Sequence, residues 1–208
     1  MSAIIANRKT DSSAALGGQS VITYDRQFER EILKLFPGDY GATGLDLVFS
    51  TVLGSCVSAC LYDPIARIGG MNHFLLPGTV SNDQVGRYGM YAMELLINEM
   101  LKRGAQRNRL AAKVFGGARV QKSMITMDVG GLNADFIEKY LADEDIPIVA
   151  ADLRSTRPRK VIFFPATGQA LVRNVGATLD SSEWQKELAY ASTVSRAGPI
   201  KGGDIELF

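Results

Sequence analysis

Thiol and imidazole chemistry in this chain is confined to one stretch. Ser50 to Pro77 reads STVLGSCVSACLYDPIARIGGMNHFLLP and holds the only histidine, His73, and both cysteines, Cys56 and Cys60. A thiol attacks as the thiolate, and an ordinary cysteine with pKa about 8.5 needs a base or cation beside it to reach that form near neutrality. His73 is the one imidazole available. A thiolate–imidazolium pair would combine a nucleophile for acyl transfer with a general acid for the leaving group. Gly54-Ser55 permits a tight bend before Cys56, so the backbone N–H groups of Ser55 and Cys56 are candidate donors to an oxyanion. A third polar group commonly orients the imidazole, and Ser50 and Thr51 compete for that role because strand alternation turns only one of them to the site.

Cys60, in the middle of an apolar strand, reads as a small core hydrophobe. A metal site built from Cys56, Cys60 and His73 lacks the spaced cysteine pairs of structural zinc sites and a fourth ligand, so neither a metal nor another cofactor is expected. Two cysteines four positions apart are too close to staple a fold, and reduced thiols are expected. Gly116-Gly117 and Gly130-Gly131 read as turns, and Arg154, Arg157, Arg159 and Lys160 as a solvated loop.

Several function classes are disfavoured by composition. The net charge of +1, from 23 Lys and Arg against 22 Asp and Glu, offers no basic stripe for a phosphate backbone, so nucleic acid is not an expected partner. No apolar run approaches the ~18 residues of a membrane span, and the N-terminal stretch lacks a signal-peptide pattern. The expectation is a soluble, cytoplasmic protein without membrane insertion.

The elements that would position the site follow from periodicity. Residues 1–19 are expected to form a disordered leader and residues 20–208 one domain, with about 178–208 a loosely docked tail. Phe28, Ile32 and Leu35 have helical spacing and predict a short helix or an edge segment. Leu45 to Leu53 reads as a buried strand delivering Cys56. Val57–Tyr62 and Ile68–Leu76 form a hairpin around Asp63-Pro64, and a turn centred on Pro64-Ile65 would set Cys56 directly opposite His73. Helices are predicted over Tyr88–Lys102 and Asn133–Asp143, with a helical turn or two within Ser182–Tyr190. Strands are predicted over Leu110–Phe115, Ile146–Leu153, Lys160–Pro165 and Gln169–Val175, the last two joined by Thr167-Gly168. Hairpins outnumber alternating strand–helix units, which points to a single α+β domain.

Thr51 to Val57 (TVLGSCV) and Gly69 to Pro77 (GGMNHFLLP) resemble the signature of the CheD family, chemoreceptor glutamine deamidases of bacterial chemotaxis. Further landmarks recur in the family's order: Arg87-Tyr88-Gly89, Phe115-Gly116-Gly117-Ala118, Asn133 with Phe136, Ala151-Asp152-Leu153, Thr167-Gly168 and the closing Gly203 to Phe208. The resemblance implies a protein-glutamine glutaminase acting on methyl-accepting chemotaxis receptors, with Cys56 as nucleophile, His73 as histidine, and Thr51, or alternatively Ser50, as the third member. It also implies an α/β sandwich of mixed, hairpin-rich sheets flanked by helices, similar to deamidase toxins, with a CheC-type phosphatase as a possible partner. The substrate would be a helix surface, met by a shallow groove. The family often carries a glycine pair where this chain has Arg154-Ser155, and an arginine where it has Leu132. The alternative is a non-catalytic chemotaxis adaptor that binds receptors or a CheC-type phosphatase.

Overall fold

The computed structural model describes residues 20–76, 82–119 and 128–175, together with Ala189, which is helical. The expected leader and the remainder of the expected tail, including the rest of its helical turn, lie outside the described residues. In chain order the elements are β1 (Val21–Asp25), β2 (Arg30–Lys34), β3 (Tyr40–Thr43), β4 (Val48–Leu53), β5 (Val57–Asp63) and β6 (Ile68–Asn72). There follow α1 (Asn82–Lys102), a 3-10 turn at Arg107–Arg109, β7 (Ala111–Gly116), α2 (Val129–Asp143), β8 (Ile148–Leu153), β9 (Arg159–Phe164) and β10 (Gln169–Asn174).

Two five-stranded mixed sheets result, one ordered β1-β2-β4-β9-β10 and the other β3-β6-β5-β7-β8. The period of two along β5 decides how they stack. Val57, Ala59 and Leu61 join Met93, Leu96 and Ile137 of the helices, whereas Cys56 and Cys60 join Leu33, Phe49 and Phe163 of the other sheet. Apart from its exposed edge strand β8, the second sheet is therefore buried on both faces, by the first sheet on one side and by α1 and α2 on the other. The class is α+β, a single sandwich with a helical layer.

Three local outcomes differ from the sequence reading or narrow it. The segment with helical spacing is not a helix but the edge alternative, a β-hairpin at the border of the first sheet: β1 and β2 pair antiparallel from Val21↔Lys34 to Asp25↔Arg30. Its turn is held by the Asp25 carboxylate accepting from the N–H groups of Gln27 and Phe28, and Phe28 turns back onto Phe164, so Phe28 is apolar for a reason unrelated to helical period. Short β3, with a glycine and only one β-branched residue, escaped detection. Gly130-Gly131 lies inside α2, whose first turn is capped by the Asp128 carboxylate accepting from Gly131 N–H at 3.0 Å. A Cβ on Gly130 would stand 2.7 Å from the carbonyl oxygens of both Gly117 and Ala118. The glycine lets the helix approach that loop.

The central hairpin also has a shifted register. β5 and β6 pair from Cys60↔Met71 to Asp63↔Ile68, with a further bridge at Val57↔Phe74. The loop is the four residues Pro64 to Arg67, closed by Arg67 at φ 55 and by Asp63 accepting from Ile65 and Ala66 N–H. Its centre lies one position further along than expected, which moves every cross-strand partner by two. Cys56 therefore lies across from Leu75, and Ser58 across from His73. A two-residue shift preserves the face, so Cys56 and His73 stay on one side as diagonal neighbours.

Candidate active site

Each strand sends its residues to the space between the sheets by alternation. On β4, Phe49 and Leu53 belong to the inter-sheet cluster, so Thr51 between them points the same way and Ser50 points to the opposite face. On the partner sheet, His73 shares parity with Met71 and Leu75, both in that cluster. The two side chains meet: Thr51 Oγ1 lies 2.8 Å from His73 Nδ1. Ser50 contributes its backbone instead, with its carbonyl accepting from Leu35 N–H at 2.9 Å.

The hydroxyl assigns the imidazole tautomer. Thr51 Oγ1 donates its single proton to Leu35 O at 2.8 Å, so the contact with His73 is made by Nδ1–H donating to the hydroxyl. Nε2 then carries the lone pair, and it is buried with no partner among the described residues. Burial lowers the imidazole pKa from 6.5 to about 3, against the opposing pull of Leu35 O. Burial thus works against the imidazolium of the expected ion pair.

Cys56 sits in a bend whose three carbonyls are all anchored. Gly54 O accepts from Ala118 N–H at 2.7 Å, and Cys56 O from Gly117 N–H at 2.8 Å. Ser55 O accepts from Asn133 Nδ2 at 3.1 Å. Gly116 has φ +111, and a Cβ there would stand 2.2 Å from Cys56 O, so the approach of this loop requires glycine. Diagonal same-face neighbours on paired strands stand about 7–8 Å apart at the backbone, within reach of an imidazole. Cys60, two pleats away, is a buried thiol pushed by desolvation to about 12 and is inert as a nucleophile.

The site is closed rather than a shallow groove. Cys56 is 0% and His73 2% exposed. A crevice of about 90 Å³ between β3 and α1, edged by Asp39, Tyr40, Tyr88 and Tyr91, reaches His73 from one side. A second of about 10 Å³, roughly one water in size, reaches it between Leu35, Pro37 and Thr51. Among the described residues no group of three or more His, Cys, Asp or Glu could hold a metal ion, and no helix is long and apolar enough to cross a membrane.

Two neighbours were not assigned to the site from sequence. Ser58 is fully buried with its hydroxyl beside the Cys60 thiol, on the strand facing His73, and only the corrected register reveals it. Asn133 appeared as a family landmark, but no local pattern placed it against Ser55. In the basic cluster, Arg159 is not solvated: it is fully buried, paired with Asp152 at 2.6 Å and bonded to the carbonyls of Asp152 and Arg154.

Comparison with known proteins places the chain in a family. Residues 75–174 match the family model described as CheD chemotactic sensory transduction. The chain is 49% identical over 190 residues to the Shewanella oneidensis protein named "Probable chemoreceptor glutamine deamidase CheD 1", covering 89% of this chain and 91% of that one. A Xanthomonas campestris pv. campestris protein named "Probable chemoreceptor glutamine deamidase CheD" is 48% identical over 198 residues, covering 94% and 99%. A Laribacter hongkongensis protein of the same name is 42% identical over 209 residues, covering 98% and 99%. The solved Bacillus licheniformis hypothetical protein YfiH superposes with a TM-score of 0.32 at 12% identity over 57% of this chain and 50% of that one, too distant to bear on function. With close relatives aligned over nearly their whole length, this chain belongs to the CheD family.

Proposed function

We propose that the protein is a protein-glutamine deamidase of chemotaxis receptors, converting selected glutamine side chains to glutamate and ammonia. The observation that carries the reading is the single imidazole between the sheets, held by Thr51 at Nδ1, with Nε2 unpartnered on the face that carries Cys56. In the proposed sequence Nε2 takes the Cys56 thiol proton as sulfur attacks the glutamine Cδ, and the carbonyl oxygen becomes an oxyanion facing the N–H groups of Ser55 and Cys56. The proton then passes from Nε2 to the amide nitrogen, the C–N bond breaks and ammonia leaves a thioester. Water gives a proton to Nε2 and attacks the thioester. The C–S bond breaks, the thiol is restored by the same proton, and glutamate is released.

A neutral imidazole suits this cycle. A buried imidazolium would be costly at rest, whereas a neutral imidazole becomes charged only while an oxyanion faces it. Because Cys56 and His73 are covered, the cycle includes an opening step that admits the glutamine side chain. The surroundings of the protein follow from the substrate: a cytoplasmic enzyme meets the helical signalling region of its receptors there, and a CheC-type phosphatase is a second candidate partner.

Incubating the protein with receptor fragments and reading both released ammonia and the mass gain at each glutamine tests the reading. Release is expected from the wild type and loss to background from Cys56→Ala and His73→Ala. Turnover that survives Cys56→Ala would sink the nucleophile assignment. Receptor binding with no turnover by the wild type would favour the adaptor reading instead.

A further inference from the structure

Asn133 is wholly buried at the start of the second turn of α2, and its amide makes three hydrogen bonds. Nδ2 donates to Ser55 O at 3.1 Å and to Val129 O at 2.8 Å, while Oδ1 accepts from Leu76 N–H at 2.8 Å. A flipped amide would set donor against donor at Leu76 and acceptor against acceptor at Ser55 and Val129, so the network fixes its orientation. One side chain thus joins the residue before Cys56, the residue three beyond His73, and the helix itself.

Peptide geometry turns that contact into a direction. The described peptide bonds are all trans, and in a trans peptide the C=O and N–H point opposite ways. Ser55 C=O and Cys56 N–H share one peptide. Drawing Ser55 O to Asn133 therefore aims Cys56 N–H away from α2. The bond from Ala118 N–H to Gly54 O likewise aims Ser55 N–H away from the 116–118 loop.

We propose that Asn133 is a positioning residue: it sets the peptide plane that presents the Cys56 nucleophile and its oxyanion donor, and through Leu76 ties that plane to the strand end bearing His73. It touches neither the substrate nor the reacting atoms. Its kinetic consequence rests on the deamidase reading; its effect on the Cys56–His73 relation does not.

Two variants separate positioning from bulk stability. Asn133→Asp is isosteric, keeps the acceptor for Leu76 N–H and loses both N–H donors; Asn133→Ala loses all three bonds. In receptor deamidation each is expected to lower kcat by about 100-fold, the scale of a small misplacement of reacting groups, with KM held within about twofold. Alkylation by iodoacetamide, mapped to each cysteine by mass spectrometry, gives a readout that needs no turnover. In the wild-type background His73→Ala is expected to slow Cys56 alkylation by about tenfold, and in the Asn133→Asp background by less than about twofold, because the base has already lost its alignment. Cys60 should stay unreactive in every variant. An unchanged kcat, or an equal His73→Ala effect in both backgrounds, would overturn the proposal. So would Cys60 becoming alkylated together with Cys56, which would assign Asn133 to stability alone. A wild type that releases no ammonia yet shows the coupled alkylation would refute the deamidase reading and support the role of Asn133.

Discussion

A hydroxyl with one proton settles both the tautomer and the tilt of His73. Thr51 gives its proton to Leu35 O and receives the imidazole's at Nδ1, so replacing it with an isosteric residue that can do neither isolates that function. Thr51→Val is expected to lower kcat for ammonia release by roughly 10- to 100-fold with little change in KM, and Thr51→Ser to retain most of the activity. Equal rates for Thr51→Val and wild type, measured at saturating receptor fragment, would remove Thr51 from the site. Sequence could narrow the choice to Ser50 or Thr51 because alternation along a strand is a local property. Alternation could not choose between them, and only the family resemblance favoured Thr51, because the answer depends on which sheet covers which face of β4. The Cys56–His73 relation was legible for a related reason. An error of two in the register leaves the face intact, where an error of one would have separated the pair.

At the level of elements, the bend carrying Cys56 is secured by loops nested behind it. The loop at 116–118 holds Cys56 and Gly54, and is itself held by Arg154 N–H to Gly116 O at 2.8 Å and Arg119 N–H to Ser155 O at 2.8 Å. Buried Arg159 closes the outer turn through the carbonyls of Asp152 and Arg154. That turn is strained. Arg154 and Ser155 have φ of 67 and 87, the left-handed region where glycine rests without a Cβ penalty. This gives a physical meaning to the glycine pair that the family resemblance leads one to expect there. Ser155→Gly is expected to raise stability by about 1 kcal/mol, read as a higher urea midpoint at unchanged m-value; a lower midpoint would show that the serine hydroxyl, which accepts from Arg157 N–H at 3.3 Å, outweighs the strain. Strands rich in Val, Ile and Phe were legible because their composition is local. The helical option at β1–β2 and the turn reading at the start of α2 fail where one residue serves two masters: Phe28 is apolar for Phe164, and Gly130 is small for the loop beside it.

Over the whole molecule, acid should loosen the fold at its centre. His73 is ordinarily half-protonated at 6.5 but is pulled to about 3 in the fold, so the unfolded chain binds the extra proton and stability falls as pH drops from about 6.5 toward 3, by at most about 1.4 kcal/mol per unit. Asp63 adds to this lower down. Burial would raise its pKa, but Arg109 and the N–H groups of Ala66, Gln106 and Ile65 outweigh that and hold it at about 2, so its contribution, present above about 4, is lost as pH falls toward 2. The urea midpoint should decline between pH 6.5 and 4.5 in the wild type and stay level in His73→Gln; a level wild-type curve over that range would contradict a buried neutral imidazole. The site itself also spans the layers, since Thr51 belongs to one sheet and Cys56 with His73 to the other. The first sheet closes only when β9 arrives beside β4, more than a hundred residues after Thr51. On the proposed mechanism, a nascent chain halted before that strand already carries Cys56, His73 and Thr51 but lacks the strand that completes the sheet around Thr51. Ammonia release then reports on completed assembly, and half-made chains on the ribosome leave neighbouring glutamines untouched.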